Sequence, residues 1–419
     1  MGKSNKRKKL ICAAAALAVM AAFGFMGIEQ FSPEKRSLKI VDDTAVTTSM
    51  NTEAEASEEE SEALNIKAKS AILIDGSSGK VIYAQNEKKH LPPASVTKVM
   101  TLLLILEGCE EGKISLDDKV TVSEKAAGMG GSQMYMEPGE QHTVEELLKG
   151  VIMVSANDGC VALAEHLSGS VASFVKAMNS RAKELGLTDS NFVNTNGLPV
   201  ADHYSCAYDI GMISAELMKH EEAHDWFTAW QEDIKVGLPG KESKFTLTNT
   251  NKLVRTYNGA IGVKTGFTRD AGYCLSGAAE RDGSRFIAVV LGCKTSDVRF
   301  AEMARLLDYG FANYETVLLA KKGEKQKKVK IEKGEEMNIF AVSPDEIGIT
   351  VKKGSGDKIK KKIHIEENIR LPLKKNDSVG TMEIYRDGKK IGEQELVSDR
   401  DVKSAGFMTI YIRMMKKLL

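Results

Sequence analysis

The sequence predicts an α/β (α+β) chain: an antiparallel sheet flanked by helices, with a helical subdomain, followed by a small C-terminal all-β domain. Three observations predict it. In "AILIDGSSGKVIYAQ" two apolar runs meet at Gly76-Ser77-Ser78-Gly79, a hairpin signal at the start of folded sequence. A long run of helical periodicity then gives way to strand-like segments and one closing helix. From Lys321 onward, "KVKIEKGEEMNIFAV" and "TMEIYRDGKKIGEQELV" alternate apolar and polar residues with period two.

The elements follow in order along 419 residues, enough for two or three domains. Residues 1–28 read as a signal peptide or N-terminal anchor. Lys3, Lys6, Arg7, Lys8 and Lys9 precede an uncharged apolar run from Leu10 to Ile28. Residues 29–66 read as an acidic disordered spacer, because "EAEASEEESEA" cannot bury enough apolar surface to offset its ordering entropy. Residues 67–318 read as the first folded domain. The hairpin opens it, and a helix is expected from Ser95 to about Leu106. Further helices are expected near 144–153, 157–166, 171–185 and 207–220. "SKFTLTN", "GAIGVKTGFT" and "GYCLSGAAERDGSRFIAVVLGC" read as strands, the last a hairpin turning at Arg281-Asp282-Gly283. A helix near 297–313 closes the domain. Residues 319–402 read as the β-rich domain, with turns at Gly354-Ser355-Gly356 and Asp387-Gly388.

Residues 403–419 read as an amphipathic helix for a membrane surface. "AGFMTIYIRMMKKLL" sets Phe407, Tyr411, Met414, Met415 and Leu418 at helical spacing beside Arg413, Lys416 and Lys417. Residues 321–419 hold 24 Lys/Arg against 16 Asp/Glu, a net of +8 suited to an anionic surface. The whole chain balances 58 basic against 58 acidic residues, so no global field draws nucleic acid. The cysteines beyond Cys12 number five, without CxxC spacing, and read as free thiols. The seven histidines show no HExxH or other ligand spacing, so no metal or other cofactor is expected.

The chemistry begins at "LPPASVTKVMT". Ser95 and Lys98 stand at i and i+3, on one helix face. A serine hydroxyl is a weak nucleophile until a base takes its proton, and lysine is that base only when neutral. Pro92 and Pro93 stiffen the chain entering the helix. Ser-x-x-Lys alone decides little, since it also starts at Ser32, Ser77, Ser173, Ser180 and Ser355. Weight comes from Ser155-Ala156-Asn157 and Lys264-Thr265-Gly266, which follow in order. That trio marks class A β-lactamases and penicillin-binding proteins. Chemically, Ser155 suits a proton relay, and the Asn157 amide can hold both the lysine and a substrate amide. Lys264 and Thr265 suit a carboxylate, and repulsion from Lys264 would help keep Lys98 neutral. Gly266 lets an extended substrate lie against its strand. The backbone N–H groups of Ser95 and Phe267 are the natural oxyanion donors. Cys160, one turn beyond Asn157, is a site where alkylation is expected to slow acylation.

With these residues in view, the chain resembles the low-molecular-mass penicillin-binding proteins that are serine D-alanyl-D-alanine carboxypeptidases (peptidase family S11). "GMGGSQMYMEPGE", "TVEELLKGVIMVSANDGCVALAEH", "NTNGLP", "GVKTGFTRDAGYCL" and "LLDYGFANYE" carry the resemblance, from Lys69 to Val402. It implies a serine β-lactamase/DD-peptidase-like fold and acylation of Ser95 by the penultimate D-Ala carbonyl. Terminal D-Ala leaves the peptidoglycan stem peptide, and water then frees the enzyme. It also implies covalent inhibition by β-lactam antibiotics, work outside the cytoplasmic membrane, and help from Arg299 in binding the terminal carboxylate. Phe267 stands where the family often has a polar residue or His, which bears on substrate shape. The competing readings are a class A β-lactamase, a DD-endopeptidase and a non-catalytic wall-binding protein. The first needs a Glu in an ExxLN-type loop, and no such pattern lies between Asn157 and Lys264.

Overall fold

The computed structural model describes residues 39–40 and 64–418. The proposed leader, 1–28, lies outside the described residues, as does most of the spacer. Two spacer residues, Lys39–Ile40, form a short strand against Glu393 and Gly392, so the spacer is not structureless throughout. Ile66 is buried, and its backbone N–H donates to Gln85 Oε1, so folded chain starts before residue 67.

The central sheet has the order β2-β1-β5-β4-β3, antiparallel throughout. Its strands are β1 Ser70–Asp75, β2 Val81–Gln85, β3 Ala260–Thr268, β4 Gly272–Arg281 and β5 Ser284–Cys293. Successive strand residues face opposite sides, so a sheet covered on both faces reads as an unbroken apolar run. On one face Ile72, Ile74, Ile287 and Val289 join the larger apolar cluster. On the other, Ala71, Leu73, Phe286 and Ala288 join a second cluster. The β4–β5 turn is Asp282-Gly283, both with positive φ (51° and 78°), as a two-residue hairpin requires.

The larger cluster is built by α1 Lys98–Glu110, α2 Val144–Met153, α3 Asn157–Ser168, α4 Val171–Glu184 and α5 Ala207–Leu217. Helix α1 is apolar nearly all round, as a helix enclosed by others should be. Helix α2 starts at a Thr143/Glu146 capping box. The opposite face is covered by α6 Ser296–Asn313, through Met303, Leu306 and Leu307. The expected helix at Ser95 differs in one respect: residues Ala94–Thr97 form a 3₁₀ turn, and the α-helix begins at Lys98.

The C-terminal region comprises β6 Tyr314–Ala320, β7 Lys325–Lys330, β8 Asn338–Val342, β9 Ile347–Lys352, β10 Ile359–Ile365, β11 Ser378–Arg386 and β12 Lys389–Ser398. One sheet runs β7-β8-β12-β11-β10, and β6 pairs with β9. Strand β6 was not anticipated, because it follows α6 with no Gly or Pro between them, and it runs across residue 318. It ties the two parts together: Thr316 Oγ1 donates to Asp75 Oδ2 at 2.6 Å. A last helix, α7 Phe407–Leu418, is held by Arg413, whose guanidinium donates to the carbonyls of Gly334 and Glu335. Phe407, Met408, Tyr411 and Ile412 of α7 are exposed. Among the described residues, no helix is long and apolar enough to cross a membrane.

Candidate active site

The site is built on the turn that carries Ser95. Ala94 holds a left-handed conformation (φ 49°) that a non-glycine residue adopts only when its surroundings impose it. Two glycines impose it from behind. A Cβ on Gly197 (φ +83°) would overlap the Ala94 carbonyl. A Cβ on Gly266 would sit 3.0 Å from the backbone nitrogens of Ser95 and Val96. The bare side of Gly266 meets the Ser95 turn, so the glycine lets β3 approach the nucleophile closely. Thr97 and Thr101 fasten the turn and the helix after it to the segment 195–203, by contacts with His203 Nε2 at 2.8 Å and the Thr195 carbonyl at 2.6 Å.

Ser95 is half-buried and Lys98 fully buried. Lys98 Nζ lies 2.9 Å from Ser95 Oγ, 2.7 Å from Asn157 Oδ1 and 2.8 Å from the Asn196 carbonyl oxygen. A neutral amine has two N–H donors and one lone pair. Two of these partners can only accept, and the third is a hydroxyl. A neutral Lys98 thus donates to Asn157 and Asn196 and turns its lone pair to the Ser95 O–H. Asn157 is itself fixed, its Nδ2 donating to the Gly130 carbonyl at 2.6 Å and its N–H to the Ser132 carbonyl at 2.8 Å. The next residue, Asp158, holds the same loop by accepting from the N–H groups of Met134 and Met136.

Ser155 is buried in a left-handed conformation (φ 64°), and among the described residues its Oγ has no hydrogen-bond partner. With no protein acceptor or donor engaged, this hydroxyl is free to bond a substrate group. Lys264 and Thr265 are buried on β3, the edge strand of the sheet. Lys264 Nζ is 3.2 Å from the Thr265 carbonyl, and Thr265 Oγ1 is 2.8 Å from Thr250 Oγ1. Phe267 is exposed and packs on Tyr273, ring centroids 4.3 Å apart. Arg299, on α6, is 7 % exposed and so is no surface arginine; it donates to the carbonyls of Gly266 and Cys274.

Burial lowers the Lys98 pKa to about 8, against smaller upward pulls from Cys160 and Asp158. Lys264 is lowered well below the usual lysine range, first by burial and then by repulsion from Lys98. The expected repulsion between the amines therefore acts on Lys264, while burial is what depresses Lys98. Cys160 is fully buried and its thiol is pushed up to about 11 by desolvation. It is a buried thiol of low reactivity, so the alkylation expected to slow acylation requires the core around it to open. The other cysteines beyond Cys12 are also free. Among the described residues, one group has donor spacing for a metal: Asp189, Cys206 and Asp209. Its atoms already serve the chain, since Asp209 Oδ2 accepts from Asp189 N–H and Ser190 Oγ, and Cys206 Sγ caps the Asp209 N–H.

This arrangement can activate a serine hydroxyl beside a buried amine whose proton is weakly held. Residues 53–295 match the sequence profile described as D-alanyl-D-alanine carboxypeptidase, and residues 314–404 match the C-terminal domain of penicillin-binding protein 5. The chain belongs to the D-alanyl-D-alanine carboxypeptidase family. It is 43% identical over 350 residues to D-alanyl-D-alanine carboxypeptidase DacF of Bacillus subtilis, covering 83% of this chain and 89% of that one. It is 34% identical to D-alanyl-D-alanine carboxypeptidase DacC of Escherichia coli, with 84% and 88% covered. Penicillin-binding protein 5 from Haemophilus influenzae superposes with a TM-score of 0.62 at 32% identity, covering 81% of this chain and 98% of that one.

Of the residues singled out in this carboxypeptidase-family sequence, Ser95, Lys98 and Asn157 meet directly. Gly266 packs behind Ser95, and Arg299 reaches the Gly266 carbonyl. Sequence reasoning gave no role to the Asn196 carbonyl, Gly197, His203 or Asp158. The strings "NTNGLP" and "GMGGSQMYMEPGE" were the available signal, since Gly-rich loops are where backbone groups come close to a site.

Proposed function

We propose that this chain is a serine D-Ala-D-Ala carboxypeptidase that removes the terminal D-Ala from peptidoglycan pentapeptide stems through an acyl-enzyme on Ser95. Lys98 takes the Ser95 proton as Oγ attacks the penultimate D-Ala carbonyl. The backbone N–H groups of Ser95 and Phe267 receive the developing oxyanion. Ser155 passes the proton from Lys98 to the leaving D-Ala amine, the peptide C–N bond breaks, and a Ser95 ester remains. Water hydrolyses the ester along the reverse proton path. Asn157 orients Lys98 and the substrate amide. Lys264, Thr265 and Arg299 draw the terminal carboxylate, and an arriving anion restores the proton that burial makes Lys264 hold weakly.

One observation carries this reading: a buried amine with two carbonyl acceptors and a serine hydroxyl as its partners. The Ser155 hydroxyl, without a partner among the described residues, supports the relay. β-Lactams acylate the same hydroxyl. In this reading the catalytic domain, expected over 67–318, ends before β6, and β6 with the strands up to residue 402 makes up the β-rich domain. The protein is exported by residues 1–28 and works outside the cytoplasmic membrane. Helix α7, within 403–419, lays its exposed apolar side chains on the membrane's outer face.

Mass spectrometry after benzylpenicillin, with peptide mapping, tests the assignment alongside D-Ala release from diacyl-L-Lys-D-Ala-D-Ala. The expected results are a stable adduct on Ser95 and D-Ala release that Ser95→Ala abolishes. Rapid turnover of a chromogenic cephalosporin would point instead to a β-lactamase.

A further inference from the structure

Beside the nucleophile turn lies a cleft of about 390 Å³ that the mechanism above does not use. Pro93, Gly197, Leu198, His203, Thr268 and Asp270 are among its lining. It shares walls with the active site, because Pro93 and Gly197 also bound the Ser95 turn. We infer that this cleft receives the side chain of the diamino acid at the third position of the stem peptide, and that Asp270 selects a free cationic amine at its end. The inference rests on the carboxypeptidase reading and adds to it the class of stem that the enzyme prefers.

Strand direction places that residue. With the terminal carboxylate at Lys264 and Thr265 and the acyl carbon at the Phe267 N–H, an extended substrate runs antiparallel to β3. The residue before the acyl D-Ala then lies about 3.3 Å further on, toward Thr268 and Asp270. Strand β3 is one of the sheet's two edge strands, so its outer side can pair with such a peptide.

The lining suits a long chain with a charged tip. Leu198 and Pro93 offer apolar surface for methylenes, while the amine stays in water near the rim. Asp270 is exposed and, among the described residues, makes no ion pair or hydrogen bond. The other titratable lining residue, His203, brings no positive charge. Its Nδ1 accepts from the Val193 N–H, its Nε2 faces Thr97 Oγ1, and burial lowers its pKa to about 4. A side chain bearing only an amine finds in Asp270 the one carboxylate of this lining; Arg269, its neighbour in the chain, is exposed but does not line the cleft. One that also bears a free carboxylate meets repulsion at the same place.

Two peptides decide the matter: Nα-acetyl-L-Lys-D-Ala-D-Ala, with its ε-amine free, and the Nα,Nε-diacetyl form. At low ionic strength kcat/KM for D-Ala release should favour the free amine by about two- to fivefold, the range of a solvent-exposed ion pair. Asp270→Asn should bring the ratio near one, Asp270→Lys should invert it, and salt at about 1 M should erase it. Benzylpenicillin labelling of Ser95 in each variant reports that the groove is intact. A wild-type ratio at or below one, or a ratio that Asp270→Asn leaves in place, overturns the assignment of Asp270. If neither peptide releases D-Ala while Ser95 still takes penicillin, the carboxypeptidase reading fails, and this proposal with it.

Discussion

Lysine plays opposite parts at the two ends of this molecule. In the groove, Lys98 and Lys264 are buried, and among the described residues neither has a carboxylate within ion-pair distance. Both lose affinity for their protons. In the C-terminal region, Lys390 sits at the surface between Glu383 and Glu393, 2.7 Å and 2.8 Å away, and those contacts raise its pKa. Lys325 and Lys362 lie over the rings of Phe340 and Tyr385. The difference is environment alone. Desolvation without a counter-ion disfavours the ammonium and makes a base, whereas a carboxylate at the surface holds the proton and makes a structural contact.

The sharpest way to break the contrast is to remove the buried amine. Lys98→Met keeps the volume and removes the base, so acylation of Ser95 by benzylpenicillin should fall by about 10²–10⁴-fold. Lys390→Met should leave that rate alone. Stability gives a second readout. The Lys98 pKa is lower in the folded state, about 8, than its ordinary value of 10.5. The unfolded chain therefore binds the extra proton between those pH values. The cost of holding Lys98 is complete below about pH 8 and gone above about 10.5. Denaturant unfolding of wild type minus Lys98→Met should thus rise with pH across that window, by about 1.4 kcal/mol per unit at most. A flat difference would show that Lys98 is not desolvated.

The same shift predicts the pH dependence of the wild type. If neutral Lys98 is the acylating form, the penicillin acylation rate should climb about tenfold per pH unit below 8 and level off above it. Stopped-flow labelling between pH 6 and 10 measures this. A rate that falls across the range would exclude neutral Lys98 as the base.

Geometry sharpens the comparison further, because the buried amine depends on backbone that comes unusually close. Gly197→Ala forces a Cβ into the Ala94 carbonyl at a positive φ. A loss of about 2 kcal/mol or more in unfolding free energy is expected, with slower acylation as the Asn196 carbonyl moves from Lys98. Here the limit of the sequence is visible. Ser95, Lys98, Asn157 and Lys264 were legible because their side chains carry the chemistry. Asn196 acts through a carbonyl and Gly197 through an absent atom, so neither residue type declared its part. The two-face burial of β1 and β5 was legible as unbroken apolar runs. The ribbon Gln231–Val236 with Ser243–Thr248 was only half legible, since only Ile234, Val236 and Leu247 are buried along it. Amphipathic spacing gave the last helix, but not that Arg413 would dock it on carbonyls nearly 80 residues away in sequence.

The smallest effect belongs to the surface partner of Lys390. Glu383 accepts hydrogen bonds from Lys390, from the Tyr385 hydroxyl at 2.8 Å and from His364 at 2.9 Å. The Lys390 and Tyr385 contacts, in that order, hold its carboxyl at about 2, below the ordinary 4.5. A depressed carboxylate contributes stability that is full above the unfolded value and is lost as pH falls through the folded one. Solvent screens the contact, so Glu383→Gln should shift Tm by under about 2 °C at pH 7. The gap from wild type should close between about pH 4.5 and pH 2. Penicillin acylation should not change, since Glu383 touches nothing in the groove. A large loss of stability at neutral pH would mean that this surface cluster acts as a buried network, and the contrast with Lys98 would then rest on partner choice instead of burial.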